Sequence, residues 1–142
     1  MSDNFEPSHA SSDLGKWVED LYYHIFCLTD DEATRNALEK GIAPGFTAKI
    51  NHDTYTRQEF IDAIMRVRAV KQLSFQSTKD IQFWDAPDNS GAGCVAQYAR
   101  FTDTYKETGI KVVSTPLLVA DVRVVNGQRV LYELTEVLNV LS

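Results

Sequence analysis

Three acidic or phenolic side chains near the C-terminal end of the chain could perform acid–base chemistry: Asp121, Tyr132 and Glu136. They lie in two long apolar segments separated by Asn126-Gly127, a pair typical of a two-residue β-hairpin turn. Counting outward from that turn places Asp121 opposite Tyr132, with Glu136 further along the same face. A carboxyl among apolar neighbours is desolvated, and a phenol can donate to a developing oxyanion. The spacing therefore predicts a proton-transfer site on this face.

Other interpretations of the hairpin remain open. Asp121 could instead pair with Arg123 or Arg100 at the sheet surface. On the opposite face, Glu133 and Arg129 could bridge a dimer interface or simply meet water. A slip of one residue in the register would exchange the two faces and make Glu133 the candidate acid.

Further candidate site residues come from a helix and from other strands. Tyr22 and His24 fall on the two borders of an apolar helical stripe, where pockets are lined. His24 could be a general base, although a lone histidine beside such a stripe is more often a core-edge residue. Trp84 could wall the pocket or pack in the core. Tyr98 and Arg100 complete the expected substrate contacts.

The elements that must position these residues are three helices followed by long strands. Ser12 can cap the first helix, while the segments 29–32 and 56–59 have the spacing of capping boxes. The second helix is predicted to end near Gly41, and a short strand to cover Phe46–Ile50. From Leu73 onward the helical period disappears, and strands are predicted over 73–85, 94–102 and the two arms of the hairpin.

Helices followed by strands are typical of a segregated α+β fold. We expect residues 1–12 to be a disordered tail and residues 13–142 to be one domain, a curved antiparallel sheet around the helices that forms a cone with a mouth. Both hairpin faces are mostly apolar, so one should meet the helices and the other a second subunit. The face assigned to this homodimer carries Leu118, Val122, Val124, Leu131 and Val137.

Composition narrows the function. Twenty acidic against fourteen basic residues give a net charge of −6, which argues against a nucleic-acid or membrane-surface partner. Cys27 and Cys94 have no metal-type spacing and are expected to be reduced thiols, and no apolar run is long enough to span a membrane. A soluble, cytoplasmic protein is expected. Neither a metal motif, a phosphate loop nor a nucleophile elbow is found, so acid–base chemistry without a cofactor, or binding, is left.

The order of elements, Ile42-Ala43-Pro44 before the short strand, and the turn 126–130 leading into the last strand 132–137 resemble the nuclear transport factor 2-like superfamily. Its members include ketosteroid isomerase, scytalone dehydratase and SnoaL-like polyketide cyclases. The resemblance spans residues 13–140 and implies a cystatin-like α+β barrel with Asp121, Tyr132 and Glu136 on its concave side.

The resemblance also implies roles for single residues. Asp121 matches the inward acid of the ketosteroid isomerase oxyanion hole, Glu136 the acid of the SnoaL-like last strand, and Tyr22 or Tyr23 a helix tyrosine. The isomerase base falls near residues 50–51, where this chain has no carboxylate unless Asp53 takes its place. The two strand histidines of scytalone dehydratase have no counterpart, so the chain is more similar to SnoaL-like isomerases and cyclases of microbial, especially fungal, metabolism.

These observations predict a cofactor-independent isomerase or cyclase, or a dehydratase, acting on a polycyclic natural-product intermediate. Glu136 or Asp121 would transfer the proton, and Tyr132, Tyr22 and His24 would hold or polarise an oxygen. The alternative is a non-catalytic small-molecule-binding or dimerisation module. A deep cavity with unpaired ionisable groups would favour the enzyme, and a filled cone the module.

Overall fold

The computed structural model describes residues 8–141, and it shows three helices and a six-stranded mixed sheet. The elements are α1 (Asp13–Phe26), α2 (Asp31–Gly41), β1 (Ile42–Ile50), β2 (Asp53–Thr56), α3 (Arg57–Val70), β3 (Lys71–Asp85), β4 (Gly93–Tyr105), β5 (Lys111–Val125) and β6 (Gln128–Leu141). The strand order is β2-β1-β6-β5-β4-β3, with β3 to β6 an antiparallel meander and β1 parallel to β6. The predicted α+β class is confirmed. The sheet is mixed and not antiparallel throughout, because β1 runs parallel to β6, and β2 is an addition to the predicted elements.

Side-chain caps fix where the helices begin. The Ser12 side chain accepts a hydrogen bond from the Gly15 amide at 2.9 Å, as predicted for α1. The capping box of Thr56 and Glu59 at the start of α3 is also confirmed. The box predicted at residues 29–32 is wrong by one residue: Asp30 has the extended backbone of a cap, and its carboxylate accepts from the first-turn amides of α2.

Residues 8–12, the N-terminal strap, run over the edge formed by α1 and β3. The Thr78 amide donates to the Ser8 carbonyl at 2.9 Å, and the Ala10 amide donates to Glu19 at 2.7 Å. The His9 ring stacks on Phe75 with 5.2 Å between centroids. The prediction of a disordered tail is therefore wrong for residues 8–12, whose polar composition conceals these tertiary contacts, and residues 1–7 lie outside the described part.

The hairpin register follows the prediction only near the turn. Asn126 and Gly127 have φ values of 52° and 76°, and the pairs run as predicted out to Val122 with Leu131. There the register shifts, so that Asp121 pairs with Glu133. Because Tyr132 is the additional residue of a β-bulge on β6, the predicted pairing of Asp121 with Tyr132 is wrong.

The bulge and the packing together decide which hairpin face meets the helices. On β5, Leu118 and Val122 are buried in the core cluster with residues from α1, and Leu131 joins them from β6. The prediction that these three side chains form the dimer face is therefore wrong, and Val124 is half-buried. Of the five predicted positions, Val137 alone is exposed.

The face of the sheet opposite the helices, here called the outer face, carries its own apolar side chains. Leu117, Val119 and Val137 are 44%, 50% and 61% exposed on β5 and β6. The alternation along β5 places Asp121 on this same face. Among the helices that the structure describes, none has the length and apolar character needed to cross a membrane.

Candidate active site

A buried pair formed by Tyr22 and Glu136 connects the first helix to the last strand. The capped α1 directs its apolar stripe into the core, and Tyr22 follows Leu21 on that stripe with 5% exposure. Glu136 lies on the inner face of β6 opposite Leu118, with 7% exposure. The Tyr22 hydroxyl donates to Glu136 Oε1 at 2.5 Å. This short bond orients a carboxyl group inside the fold.

Burial sets the protonation behaviour of this pair. Desolvation raises the pKa of Glu136, and the hydrogen bond from Tyr22 opposes that rise in part. Burial raises the pKa of Tyr22 well above its ordinary value, with the Glu136 charge and hydrogen bond adding to the effect. The Tyr22 phenol therefore stays protonated and remains a hydrogen-bond donor. The Glu136 carboxylate takes up a proton more readily than an exposed glutamate does.

Tyr22 and Glu136 line an interior cavity of about 100 Å³. Phe26, Phe101 and Pro116 contribute apolar walls from α1, β4 and β5. Among the described residues, no hydrogen-bond donor reaches Glu136 Oε2. That oxygen is consequently available to a molecule in the cavity.

A second polar cluster, formed by Lys71, Asp103 and Ser114, lines the same cavity. Asp103 is 3% exposed, and its Oδ1 accepts from the Ser114 hydroxyl at 2.6 Å. Lys71 Nζ lies 3.5 Å from Asp103 Oδ2 and 5.0 Å from the centroid of the Tyr105 ring. The candidate site residues proposed from sequence did not include this cluster.

The alternation of β4 could have revealed Asp103. Val95, Gln97, Ala99 and Phe101 are the inward positions of this strand, and Asp103 continues the same period of two. An acid at an inward position of a central strand is unusual, and such residues are candidates for function.

Asp121 and Tyr132 do not reach the cavity, because both lie on the outer face. Arg123 binds Asp121 with two hydrogen bonds, of 2.8 and 3.0 Å, and lies 4.6 Å from the centroid of the Tyr132 ring. The prediction that these two residues point into the cone is therefore wrong. The alternative interpretation, a surface ion pair between Asp121 and Arg123, describes the observed geometry.

The remaining predicted site residues are also distributed elsewhere. Trp84, Tyr98 and Arg100 are exposed, and the first two are on the outer face opposite Cys94 and Leu117. His24 Nδ1 lies 2.7 Å from the Asp20 carbonyl oxygen, in a separate open cleft between α1, α2 and the start of β6. From the predicted set, Tyr22 and Glu136 are the two residues that line the interior cavity.

The two other hairpin residues considered above, Glu133 and Arg129, are either exposed to solvent or hold neighbouring elements together. Glu133 is exposed, and Arg129 donates to the Gly91 carbonyl at 2.7 Å and to Asp13 at 2.8 Å. These contacts join the β3–β4 turn to α1.

In the described part of the chain, neither the cysteines nor any cluster of metal-binding side chains indicates thiol or metal chemistry. Burial raises the pKa of the Cys27 thiol to about 11, so this cysteine is protonated near neutral pH. Cys27 and Cys94 are unpaired with one another. Over residues 8–141, no three His, Cys, Asp or Glu side chains are grouped in a way that would hold a metal ion.

Comparison with known proteins gives structural likenesses only. No family model and no curated protein matches the sequence. A conserved protein from Planctomyces limnophilus has a TM-score of 0.69 at 10% identity, covering 87% of this chain and 94% of that protein. An NTF2-like protein of unknown function in nutrient uptake from Rhodospirillum rubrum has a TM-score of 0.63 at 15% identity, with 90% and 99% covered.

A third similar structure is a ketosteroid isomerase-like protein from Erwinia carotovora atroseptica, with a TM-score of 0.58, 10% identity, and 77% and 81% of the two chains covered. Likeness at such low identity establishes the fold, and a fold hosts many functions. It agrees with the resemblance seen in the sequence: this chain has the nuclear transport factor 2-like fold.

Proposed function

We propose that the protein is a cofactor-independent isomerase or cyclase that uses Glu136 to move a proton within a carbonyl-containing substrate. The observation that carries this proposal is the buried Tyr22–Glu136 pair, with Oε2 of Glu136 free at the wall of a closed-in cavity. Burial raises the pKa of Glu136, and a carboxylate with a raised pKa is a better base than an exposed one.

In the proposed reaction, Glu136 Oε2 takes a proton from the carbon beside the substrate carbonyl. The electron pair of the broken C–H bond forms an enolate, whose charge is on the carbonyl oxygen. As Glu136 becomes neutral, the Tyr22 hydroxyl can donate to that oxygen instead. When the enolate is conjugated to a double bond, return of the proton to the far carbon of that system completes an isomerisation. In a cyclisation the enolate carbon attacks a second carbonyl of the substrate, and the alkoxide formed there takes the proton from Glu136. Proton transfer of this kind contributes roughly 10² to 10⁴-fold to the rate.

The volume of the cavity constrains the substrate. A cavity of about 150 Å³ binds benzene, and drug-sized ligands occupy roughly 300 to 1,000 Å³. The cavity here is about 100 Å³, smaller than that benzene site, so it admits one small ring at most. A polycyclic intermediate of specialised, fungal metabolism fits our proposal if its reacting ring enters the cavity while the other rings extend past the exposed rim residue Val140.

The alternative, a non-catalytic binding or dimerisation module, would require no ionisable groups in the interior. Burying a carboxyl costs free energy unless it is paired and hydrogen-bonded. Glu136 and Asp103 are both buried at the wall of one cavity, where the hydrogen bonds from Tyr22 and Ser114 offset part of this cost. Natural proteins commonly retain such costs at functional sites, which supports the enzyme.

We also propose that the protein forms a homodimer through the outer face. Leu117, Val119 and Val137 form an apolar row there, and Tyr98 pairs with Leu117 on the neighbouring strand. A contiguous apolar patch on a sheet face is uncommon on a monomer. This interface replaces the row of residues expected from the unshifted register.

The proposal can be tested without knowledge of the natural product. Monocyclic ketones are incubated with the protein in D₂O, and exchange of the proton beside the carbonyl is followed by NMR. The wild type should exchange this proton, and Glu136→Gln should not. The control is Glu133→Gln, which alters an exposed acid on the same strand. Equal exchange by the wild type and Glu136→Gln would show that Glu136 does not move the proton.

A further inference from the structure

The cavity has two polar ends with apolar walls between them. Glu136 is at one end, and the Lys71–Asp103–Ser114 cluster is at the other. Ser114 pairs with Val140, which lies four residues beyond Glu136 on β6. At about 3.3 Å per residue, the two ends are separated by roughly 13 Å along the strand. Between them the cavity of about 100 Å³ admits one small ring at most, whose substituents can face both ends.

The contact between Lys71 and Asp103 at the second end does not have the geometry expected of an ion pair that only stabilises the fold. Asp103 is almost completely buried, yet its contact with Lys71 is 3.5 Å long. A buried ion pair offsets its desolvation only when its geometry is good and its other hydrogen bonds are made. Lys71 has three N–H donors. Among the described residues its side chain has one hydrogen-bond acceptor, Asp103, and otherwise lies over the Tyr105 ring. The pair therefore has unused hydrogen-bonding capacity toward the cavity.

The chemistry of this pair selects one kind of substituent. A hydroxyl group can donate to the Asp103 carboxylate and accept from the Lys71 ammonium at the same time. A carboxylate would be repelled by Asp103, and an ammonium group by Lys71. A carbonyl oxygen could only accept from Lys71 and would leave Asp103 without a new partner.

We infer that the Lys71–Asp103 pair is a recognition site for a hydroxyl group, and that the substrate ring placed in the cavity is a hydroxylated cyclic ketone. This inference rests on the proposed function, because it takes the carbonyl end of the ring to face Glu136. Lys71 and Asp103 then determine specificity, while Ser114 holds Asp103 through the 2.6 Å hydrogen bond.

Binding of four ring compounds that differ at one position tests the inference. Dissociation constants of cyclohexanone, 4-hydroxycyclohexanone, 4-aminocyclohexanone and 4-oxocyclohexanecarboxylate are measured by NMR titration. The wild type should bind the hydroxyl compound about tenfold more tightly than cyclohexanone, as expected for hydrogen bonds to charged groups. It should bind the amine and the carboxylate more weakly than the alcohol.

A double variant gives the decisive comparison. Lys71→Met with Asp103→Leu removes both charges together and leaves neither unpaired, a change that buried ion pairs tolerate well. It should bind cyclohexanone as the wild type does and show no preference for the hydroxyl compound. The control variant, Lys79→Met with Asp85→Leu, changes an exposed lysine and an exposed aspartate of β3 and should retain the preference. Ser114→Ala, which removes the side-chain hydroxyl bound to Asp103, should reduce the preference for the hydroxyl compound.

The outcomes separate this inference from the proposed function. Equal binding of all four compounds, tighter binding of a charged one, no binding at all, or a preference that survives in the double variant would overturn the inference. The proposed function is judged separately, by Glu136-dependent exchange in D₂O. Exchange without hydroxyl preference would retain the enzyme and reject Lys71 and Asp103 as its specificity residues.

Discussion

The Tyr22 hydroxyl and the Glu136 carboxylate meet at 2.5 Å, although 114 positions separate the two residues in the chain. One belongs to the first helix and the other to the last strand, so this contact exists only when the sheet has closed on the helices. It places a desolvated carboxyl and its donor beside a cavity of one-ring size.

Replacing Glu136 by glutamine should abolish proton transfer without unfolding the protein. The amide oxygen can still accept from Tyr22, but the amide cannot take up the substrate proton. Exchange of ring-ketone protons in D₂O should fall by roughly 10² to 10⁴-fold. The Glu133→Gln variant should catalyse exchange of the ketone proton at the wild-type rate. A similar loss of exchange rate in both variants would indicate a general charge effect instead.

Tyr22→Phe should lower activity and move its pH dependence. Loss of a positioned donor costs roughly 10² to 10³-fold in rate where the donor stabilises an oxyanion. The Tyr22 hydrogen bond holds the pKa of Glu136 below the value that burial alone would produce. The pH at which exchange reaches half its maximum should therefore rise in Tyr22→Phe. Tyr23→Phe, at an exposed neighbour, should leave the profile in place, and an unmoved profile in Tyr22→Phe would contradict the coupling.

The free energy of unfolding should depend on pH through the titration of Glu136. Burial raises the pKa of Glu136 above its ordinary value of 4.5, so the folded state retains this proton to higher pH than the unfolded state. The associated stability is fully present below the ordinary pKa and is lost as pH rises through the folded pKa. Glu136→Gln does not titrate, so its gain in free energy of unfolding over the wild type should grow as pH rises from the ordinary pKa through the folded-state pKa of Glu136.

Urea denaturation at a series of pH values measures this difference. Glu133→Gln provides the baseline, because it changes the same net charge at an exposed position. A difference between Glu136→Gln and wild type that does not vary with pH would mean that Glu136 titrates alike in both states.

The outer face should mediate dimerisation. Val119→Lys introduces a charge into the apolar row, and burying an unpaired charge in the interface should convert the dimer to a monomer at micromolar concentration. Ile110→Lys alters an exposed apolar residue in the β4–β5 connection and should leave the dimer intact. Light scattering reports both masses, and a monomeric wild type would reject the interface.

Asp80 should stabilise the junction of the N-terminal strap and α1. Burial raises the pKa of Asp80, but hydrogen bonds from Ser12, Gln97 and Ser11 outweigh this and leave the pKa below its ordinary value. Asp80→Ala removes these bonds and should cost about 1 to 2 kcal/mol, or a few degrees in Tm. Asp85→Ala at the exposed end of the same strand should change Tm little. An equal Tm in both variants would show that the strap contributes no stability.

Local signals account for much of the fold. Ser12, Thr56 and Glu59 cap helices through contacts within a few residues, and Asn126-Gly127 forms its turn because both residues adopt positive φ readily. The change from a helical period to strand alternation along the chain is also a local signal, and it predicts the α+β class. Helix periodicity predicts Tyr22 and the family resemblance predicts Glu136, and both line the cavity. Hairpin counting pairs Glu136 with Leu117, whereas the structure pairs it with Leu118.

Tertiary structure decided which side chains share an interior. A single bulge residue, Tyr132, shifts the register of β6, and a shift of one residue moves a strand's side chains to the other face. Asp121 lies outside because its neighbours on β5 face the core, and the bulge brings Glu136 to the inner face opposite Leu118. Whether such a bulge forms depends on how Leu131 and Leu134 pack against the helices, which strand alternation does not encode. Lys71 and Asp103 likewise become neighbours only when β3 and β4 pair, since 32 positions of chain separate them.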